Sequence, residues 1–364
     1  MKITVEKEVL IKGIETILNV ISTKATLPIL SNFLLETHKN SLKMTATDLN
    51  IGISCVIPVE VHEQGAITIP ARRFSSIIKE LPENTIHLTT KKNNIISIET
   101  QNCYFKIIGL AAEEFPKLPE LKEKQEVIIE QGILKQMLEQ TAFAVSIDET
   151  RYILNGILFT SKKDSLTLVA TDGKRLAINT KKLIQPTEKD FSIIVPLKTI
   201  QELQRNIKNE DSELNIVIGS NQILFHLNGT TIISRLIEGE FPDYTQVIPP
   251  PTDNKMRIER EKFLLAIRRA SLLSTPDYQA VKFEIFKNKL VLSKSTPDIG
   301  ESREEIPIEY NGKEMIIGFN PNYLIDVLRN LNVEIIDFEI TGSERPGVIR
   351  MSDYIYIVLP MRLG

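Results

Sequence analysis

Residues 2–5 alternate polar and apolar side chains, the period of a half-buried strand. Residues 6–22 then change to helical spacing. Leu10, Ile14, Ile17, Leu18 and Ile21 form one stripe, with Lys7, Lys12, Glu15 and Asn19 opposite. Strand-like runs follow at 30–37, 42–47, 51–59 and 66–69, broken at Lys39-Asn40-Ser41 and Gln64-Gly65. A second helix is predicted over 71–81, stopped by Pro82-Glu83-Asn84, and two or three more strands reach Pro116. Short hairpin connections favour antiparallel sheet, because parallel neighbours would need a helix at each crossover.

This pattern returns twice, at a spacing of about 125 residues, far longer than the roughly 20–50 residues of a solenoid unit. Ile3-Thr4-Val5-Glu6 reappears as Val127-Ile128-Ile129-Glu130 and as Met256-Arg257-Ile258-Glu259. Ala46-Thr47-Asp48 returns as Ala170-Thr171-Asp172, Ile69-Pro70 as Val195-Pro196, and Glu114-Phe115-Pro116 as Glu240-Phe241-Pro242. The predicted fold is α+β, with three repeated domains at 1–120, 127–243 and 245–364, each two helices on antiparallel sheet. Residues 118–126 and 249–253 read as linkers, rich in charge and in proline respectively.

The polar helix faces carry positive charge in every copy. First-type helices contribute Lys7, Lys12, Lys135, Lys262, Arg268 and Arg269. Second-type helices contribute Arg72, Arg73, Lys79, Lys198, Arg205, Lys208 and Arg329. Any one of these fits a solvated helix face, but recurrence on equivalent helices suggests a shared basic surface. The whole chain of 364 residues is nevertheless slightly acidic, at −3 from 44 basic and 47 acidic side chains. Its 42% hydrophobic and 25% charged residues are those of a globular protein. No run approaches a membrane span, and Met1-Lys2 leads into a strand rather than a signal peptide, so a cytoplasmic protein is expected. Cys55 and Cys103 do not recur with the repeat, which argues for free thiols rather than a disulfide framework.

Neither a phosphate-binding GxxxxGK[ST] loop nor a dinucleotide GxGxxG turn is present. His38, His62, His87 and His226 are scattered, with no metal-ligand spacing among them. Asp48 and Asp172 occupy equivalent places, as residues that fix the same turn twice would. No positive sign of catalysis or of a cofactor emerges. At the other end, Tyr354-Ile355-Tyr356-Ile357-Val358 reads as a last strand, yet Leu359-Pro360-Met361-Arg362-Leu363 stays apolar beyond a proline that ends sheet pairing. Met and Leu beside Pro suit the wall of an adaptable groove that accepts a peptide.

Thr26-Leu27-Pro28-Ile29-Leu30, Arg151-Tyr152-Ile153-Leu154-Asn155-Gly156, Ala170-Thr171-Asp172-Gly173-Lys174-Arg175-Leu176, Glu240-Phe241-Pro242-Asp243-Tyr244 and Pro360-Met361-Arg362-Leu363 occur in this order. Together they resemble the bacterial DNA polymerase III beta subunit family, the replicative sliding clamps, in register along the whole chain. The resemblance implies a non-catalytic processivity factor: a head-to-tail homodimer closed into a ring around duplex DNA, held without sequence preference. It implies as partners the DNA polymerase III core, the clamp loader, and other polymerases and repair proteins.

By the same resemblance, Lys24, Arg72, Arg73, Tyr152 and Lys198 are expected at DNA. A hydrophobic groove for short partner motifs, typically a Gln followed by Leu and Phe, is expected from Leu154, Thr171, Gly173, Lys174, Arg175, Leu176, Pro242, Val247, Ile357, Val358, Leu359, Pro360 and Met361. Asn320, Tyr323 and Arg362 would stand at its edge. Lys174, Gln246, Ile153 and Leu359 depart from the commonest family pattern, so groove preferences are expected to differ. Phe105 and Ile107 of one subunit are expected against Leu272 and Leu273 of the other. The competing readings are a repeat scaffold that binds proteins without encircling DNA, and an enzyme whose groups converge from distant segments.

Overall fold

The computed structural model describes residues 1–21, 27–118, 121, 125–208 and 211–363. The first repeat runs β1 (Lys2–Glu6), α1 (Lys7–Leu18), β2 (Asn32–His38), β3 (Ser41–Thr47), β4 (Ile51–Pro58), β5 (Glu60–Glu63), β6 (Ala66–Pro70), α2 (Ala71–Glu80), β7 (Thr85–Lys91), β8 (Ile95–Glu99) and β9 (Tyr104–Ile108). The second runs β10 (Gln125–Glu130), α3 (Gln131–Thr141), β11 (Gly156–Lys162), β12 (Ser165–Thr171), β13 (Arg175–Lys182), β14 (Phe191–Pro196), α4 (Leu197–Asn206), β15 (Glu213–Ile218), β16 (Gln222–Leu227) and β17 (Thr230–Arg235). The third runs β18 (Lys255–Glu259), α5 (Arg260–Ser271), β19 (Val281–Phe286), β20 (Lys289–Thr296), β21 (Gly300–Pro307), β22 (Met315–Phe319), α6 (Pro321–Asn330), β23 (Ile335–Ile340), β24 (Gly347–Arg350) and β25 (Tyr354–Val358). Element order is the same three times, except that β5 appears only in the first copy. The sequence joins residues 60–63 to no strand, and it expects a strand from Leu30 where a 3-10 turn occupies Pro28–Ser31.

The described strands pair antiparallel throughout. Two compact units result, and each contains part of the second repeat. The first unit holds a five-stranded sheet, β5-β1-β7-β8-β9, and an eight-stranded sheet, β10-β15-β16-β17-β4-β3-β2-β6. The second holds an eight-stranded sheet, β14-β11-β12-β13-β25-β24-β23-β18, and a four-stranded one, β21-β20-β19-β22. Strands of neighbouring repeats thus share a sheet: β4 pairs with β17, and β13 pairs with β25.

Helical periodicity explains how the helices dock. Leu10, Ile14 and Ile17 of α1 are at most 1% exposed, and the helix lies on β3 and β4. Gly13 permits that approach, since a Cβ there would lie 2.9 Å from Met44 Sδ and 3.1 Å from Ile57 Cγ2. In the third repeat Phe263, Phe283, Phe319 and Phe338 form one aromatic core, with centroids 5.3–6.2 Å apart in edge-on and tilted pairs. Among the described residues no helix is long and apolar enough to cross a membrane.

Candidate partner groove and nucleic-acid surface

The turn between β12 and β13 is built from its own side chains. Asp172 Oδ1 accepts the backbone N–H groups of Lys174 (2.9 Å) and Arg175 (3.0 Å), and Thr171 Oγ1 accepts that of Gly173. Gly173 has φ +84°, a left-handed conformation at little cost for glycine. The first repeat makes the same turn. Asp48 Oδ1 accepts from Asn50 and Ile51 at 2.9 Å, and Thr47 Oγ1 accepts from Leu49. Both aspartates therefore hold a turn, as the sequence suggests.

β25 runs beside this turn, with Arg175 opposite Val358 and Leu176 opposite Ile357. Beyond it the Leu359 N–H donates to Lys174 O (2.9 Å) and the Met361 N–H to Gly318 O (2.8 Å). Gly318 must be glycine for this contact, because a Cβ there would lie 2.6 Å from Met361 O. The apolar tail is thus fixed at two points, one on the β12–β13 turn and one on β22 of the four-stranded sheet. Beneath lies a cluster of Leu158, Val169, Leu176, Ile178, Ile194, Val348 and Ile357, with Ile153, Ile237, Phe241, Tyr244 and Ile248 packed against it at partial burial.

The expected groove residues sort by depth. Gly173, Lys174, Pro242, Val247, Leu359 and Arg362 are exposed, and Leu154, Thr171, Arg175, Tyr323, Pro360 and Met361 are half-buried. Leu176, Ile357, Val358 and Asn320 are buried, so they support the surface from below instead of lining it. Asn320 is committed to the fold: its side chain caps α6 by accepting from Asn322 N and donates to Gln279 Oε1. Phe241, Tyr244 and Ile248 belong to the apolar layer but not to the residues expected from sequence. The repeated Glu-Phe-Pro phrase holds Phe241 and the family phrase 240–244 holds Tyr244, whereas Ile248 lies in neither.

Arg175 is the electrostatic centre of the groove. Its side chain is only 9% exposed, yet Nε donates to Asp172 Oδ2 at 3.0 Å and Nη1 to Asp326 Oδ2 at 2.6 Å. Nη2 donates to Phe143 O. The guanidinium carbon sits 4.5 Å from the ring centre of Tyr323 and 5.5 Å from that of Phe143. Desolvation opposes its charge, but Tyr356, Asp326 and Asp172 outweigh that and hold its pKa above the ordinary arginine value. Tyr356, whose hydroxyl donates to Tyr323 O at 2.8 Å, is raised well above the usual tyrosine range by burial.

For nucleic acid, Arg72 and Arg73 are exposed on the first turn of α2, and Tyr152 is 59% exposed in the 3-10 segment Glu149–Leu154. Lys24 lies outside the described residues. Lys198, second residue of α4, is held by the Asp48 carboxylate and by Val20 O. Among the described residues Arg72, Arg73, Arg268 and Arg329 form no ion pair. Lys7, expected on a free face, donates to Leu81 O, and Arg269 is paired with Glu304.

At the expected contact between chains, Phe105 is 40% and Leu272 80% exposed, with Leu273 half-buried. Ile107 departs from expectation. It lies opposite buried Ile96 and is 3% exposed, so its side chain is core; Tyr104 and Ile108 are the exposed neighbours. Sheet pairing brings His62 and His87 to Thr4 Oγ1, at 2.9 and 3.0 Å, although sequence separates them. Among the described residues no group of three or more His, Cys, Asp or Glu is placed to hold a metal ion.

Comparison with known proteins follows the repeats. The N-terminal domain of the DNA polymerase III beta subunit matches residues 1–119, the central domain 128–243 and the C-terminal domain 245–362. The beta sliding clamp of Escherichia coli K12 is 34% identical over 367 aligned residues, with both chains covered in full. That of Chlamydia muridarum is 31% identical, covering 100% of this chain and 99% of its own. The crystal structure of the Bacillus subtilis DNA polymerase sliding clamp superposes with a TM-score of 0.94 at 32% identity, and a Pseudomonas aeruginosa clamp bound to griselimycin with 0.95 at 32%. Both are covered end to end, as is this chain. Similar throughout its length and in all three domains, the chain belongs to the DNA polymerase III beta subunit family, the beta sliding clamps.

Proposed function

We infer that this protein is a sliding clamp: it encircles duplex DNA and tethers the replicative polymerase and other replication and repair proteins for processive synthesis. It is a non-catalytic subunit. The observation that carries this is the match of all three domains, in order along the chain. Two chains would close head to tail, with domains at 1–120, 127–243 and 245–364. β9 and β21 are edge strands, and β9 exposes Tyr104, Phe105 and Ile108, an apolar edge that a second chain would cover. The work would be done in the cytoplasm, where the chromosome is replicated.

A clamp must hold DNA yet not stop on it. Its contacts should go to phosphates, which carry no sequence information. Arg72, Arg73, Tyr152, Lys24 and Lys198 are our DNA-facing residues. The pairing of Lys198 with Asp48 suits this role, because a cation already partly neutralised grips phosphate weakly. Retention then comes from topology. Partner motifs would enter the groove walled by the tail and Gly173-Lys174, with Leu154, Pro242 and Val247 at its sides.

Loading onto nicked circular DNA followed by linearisation tests this directly. The clamp should stay on the circle through a gel-filtration column and slide off within minutes of cutting. Equal retention on both forms would favour a protein-binding scaffold.

A further inference from the structure

We propose that Asp326 is a positioning residue of the partner groove, acting through Arg175 to fix the Tyr323 ring at the groove edge. The inference rests on the groove reading above and extends it to a residue outside the groove.

The turn itself does not need Arg175. In the first repeat the same turn, with the same Thr and Asp hydrogen bonds, carries Ile51 at the equivalent place. A buried guanidinium is costly unless paired, so its presence in one copy only calls for a reason outside local folding. Its partners supply one. Asp172 comes from the turn, Asp326 from α6 and Phe143 O from the segment after α3, so the guanidinium ties together three elements, its farthest partner 151 residues away in sequence.

Asp326 also sets direction. It is the sixth residue of α6, three beyond Tyr323, and the two side chains lie on adjacent helical positions. The sixth residue of α4 is Glu202, which pairs with Arg205 of its own helix and makes no such bridge. With Nη1 held by Asp326 and Nε by Asp172, the guanidinium cannot rotate out of its plane, and that plane carries the Tyr323 ring. Tyr323 O is fixed from behind by the Tyr356 hydroxyl. The ring is therefore held on one face, and Tyr323 as a whole stays half-buried rather than enclosed.

The test is a double-mutant cycle with a synthetic peptide carrying a Gln followed by Leu and Phe, its affinity measured by calorimetry. Wild-type binding checks the groove itself; no binding there would defeat the groove reading and this inference with it, whereas the variants bear on Asp326 alone. Asp326→Asn should weaken binding about tenfold, as expected when a charge-assisted hydrogen bond becomes a neutral one. In a Tyr323→Ala background the same change should cost nothing further, whereas a general structural role would cost as much in both. Asp326→Glu keeps the charge, and its smaller loss should likewise vanish without Tyr323. It serves as the probe if Asp326→Asn does not fold. Unchanged affinity, or equal losses in both backgrounds, would overturn the proposal.

Discussion

At Cys55 the thiol points at the carbonyl of Gly13, 3.5 Å away, and burial pushes its pKa up to about 12. At pH 8 only about one thiol in ten thousand would be ionised. Cys103 is half-buried at the surface end of the first repeat. Iodoacetamide at pH 8 should therefore modify Cys103 alone in the native protein and both cysteines after denaturation, as counted by intact mass. Two labels on the native protein would show the α1–β4 contact to be open. Residues whose partners are local were legible from sequence: Asp48 and Asp172 were read as turn-holders because their hydrogen bonds span two or three residues. Residues whose partners are remote were not. The His62–Thr4–His87 contact depends on strand register, and the Asp326–Arg175 pair on how α6 meets the β12–β13 turn. Ile107 shares its face of β9 with Phe105, two residues away, and differs from it in depth: how far each is covered is set by the packing beneath the sheet, which resemblance does not give.

Among the elements, β25 carries the most consequence. It lies in the middle of an eight-stranded sheet, between β13 of the second repeat and β24 of the third. The sequence reading saw a last strand completing a sheet, but period-two alternation cannot tell an edge from a centre. The apolar residues beyond it stand out in the sequence because proline ends pairing while hydrophobicity persists. Deleting residues 361–364 removes the Met361–Gly318 bridge but leaves β25 intact. It should abolish binding of a clamp-motif peptide while circular dichroism and oligomeric mass stay unchanged; unaltered peptide affinity would remove the tail from the site. Where β9 crosses to β6, Gly109 has no room for a side chain, since a Cβ would sit 2.0 Å from Thr68 O. Gly109→Ala should destabilise the first unit by about 1–3 kcal/mol, typical of overpacking, seen as a lowered calorimetric transition.

For the whole molecule, the threefold repeat made the domain plan readable, since the same element order recurs with only β5 added. It could not show that strands of successive repeats would merge into common sheets. Under the proposed ring closure, assembly would turn on the exposed side chains Phe105 and Leu272, neither needed by the core. Phe105→Arg combined with Leu272→Arg should leave the fold intact and give a light-scattering mass near the 41.3 kDa of one chain. A persisting dimer would place the closing contact elsewhere. The position of β25 has one more consequence, in the order of synthesis. β25 follows every other strand described, yet it is the one that joins β13 to β24 and carries the groove wall. A nascent chain still short of Tyr354 leaves β13 and β24 with unpaired edges. On the proposed groove, partner docking would therefore begin only after the ribosome has delivered β25.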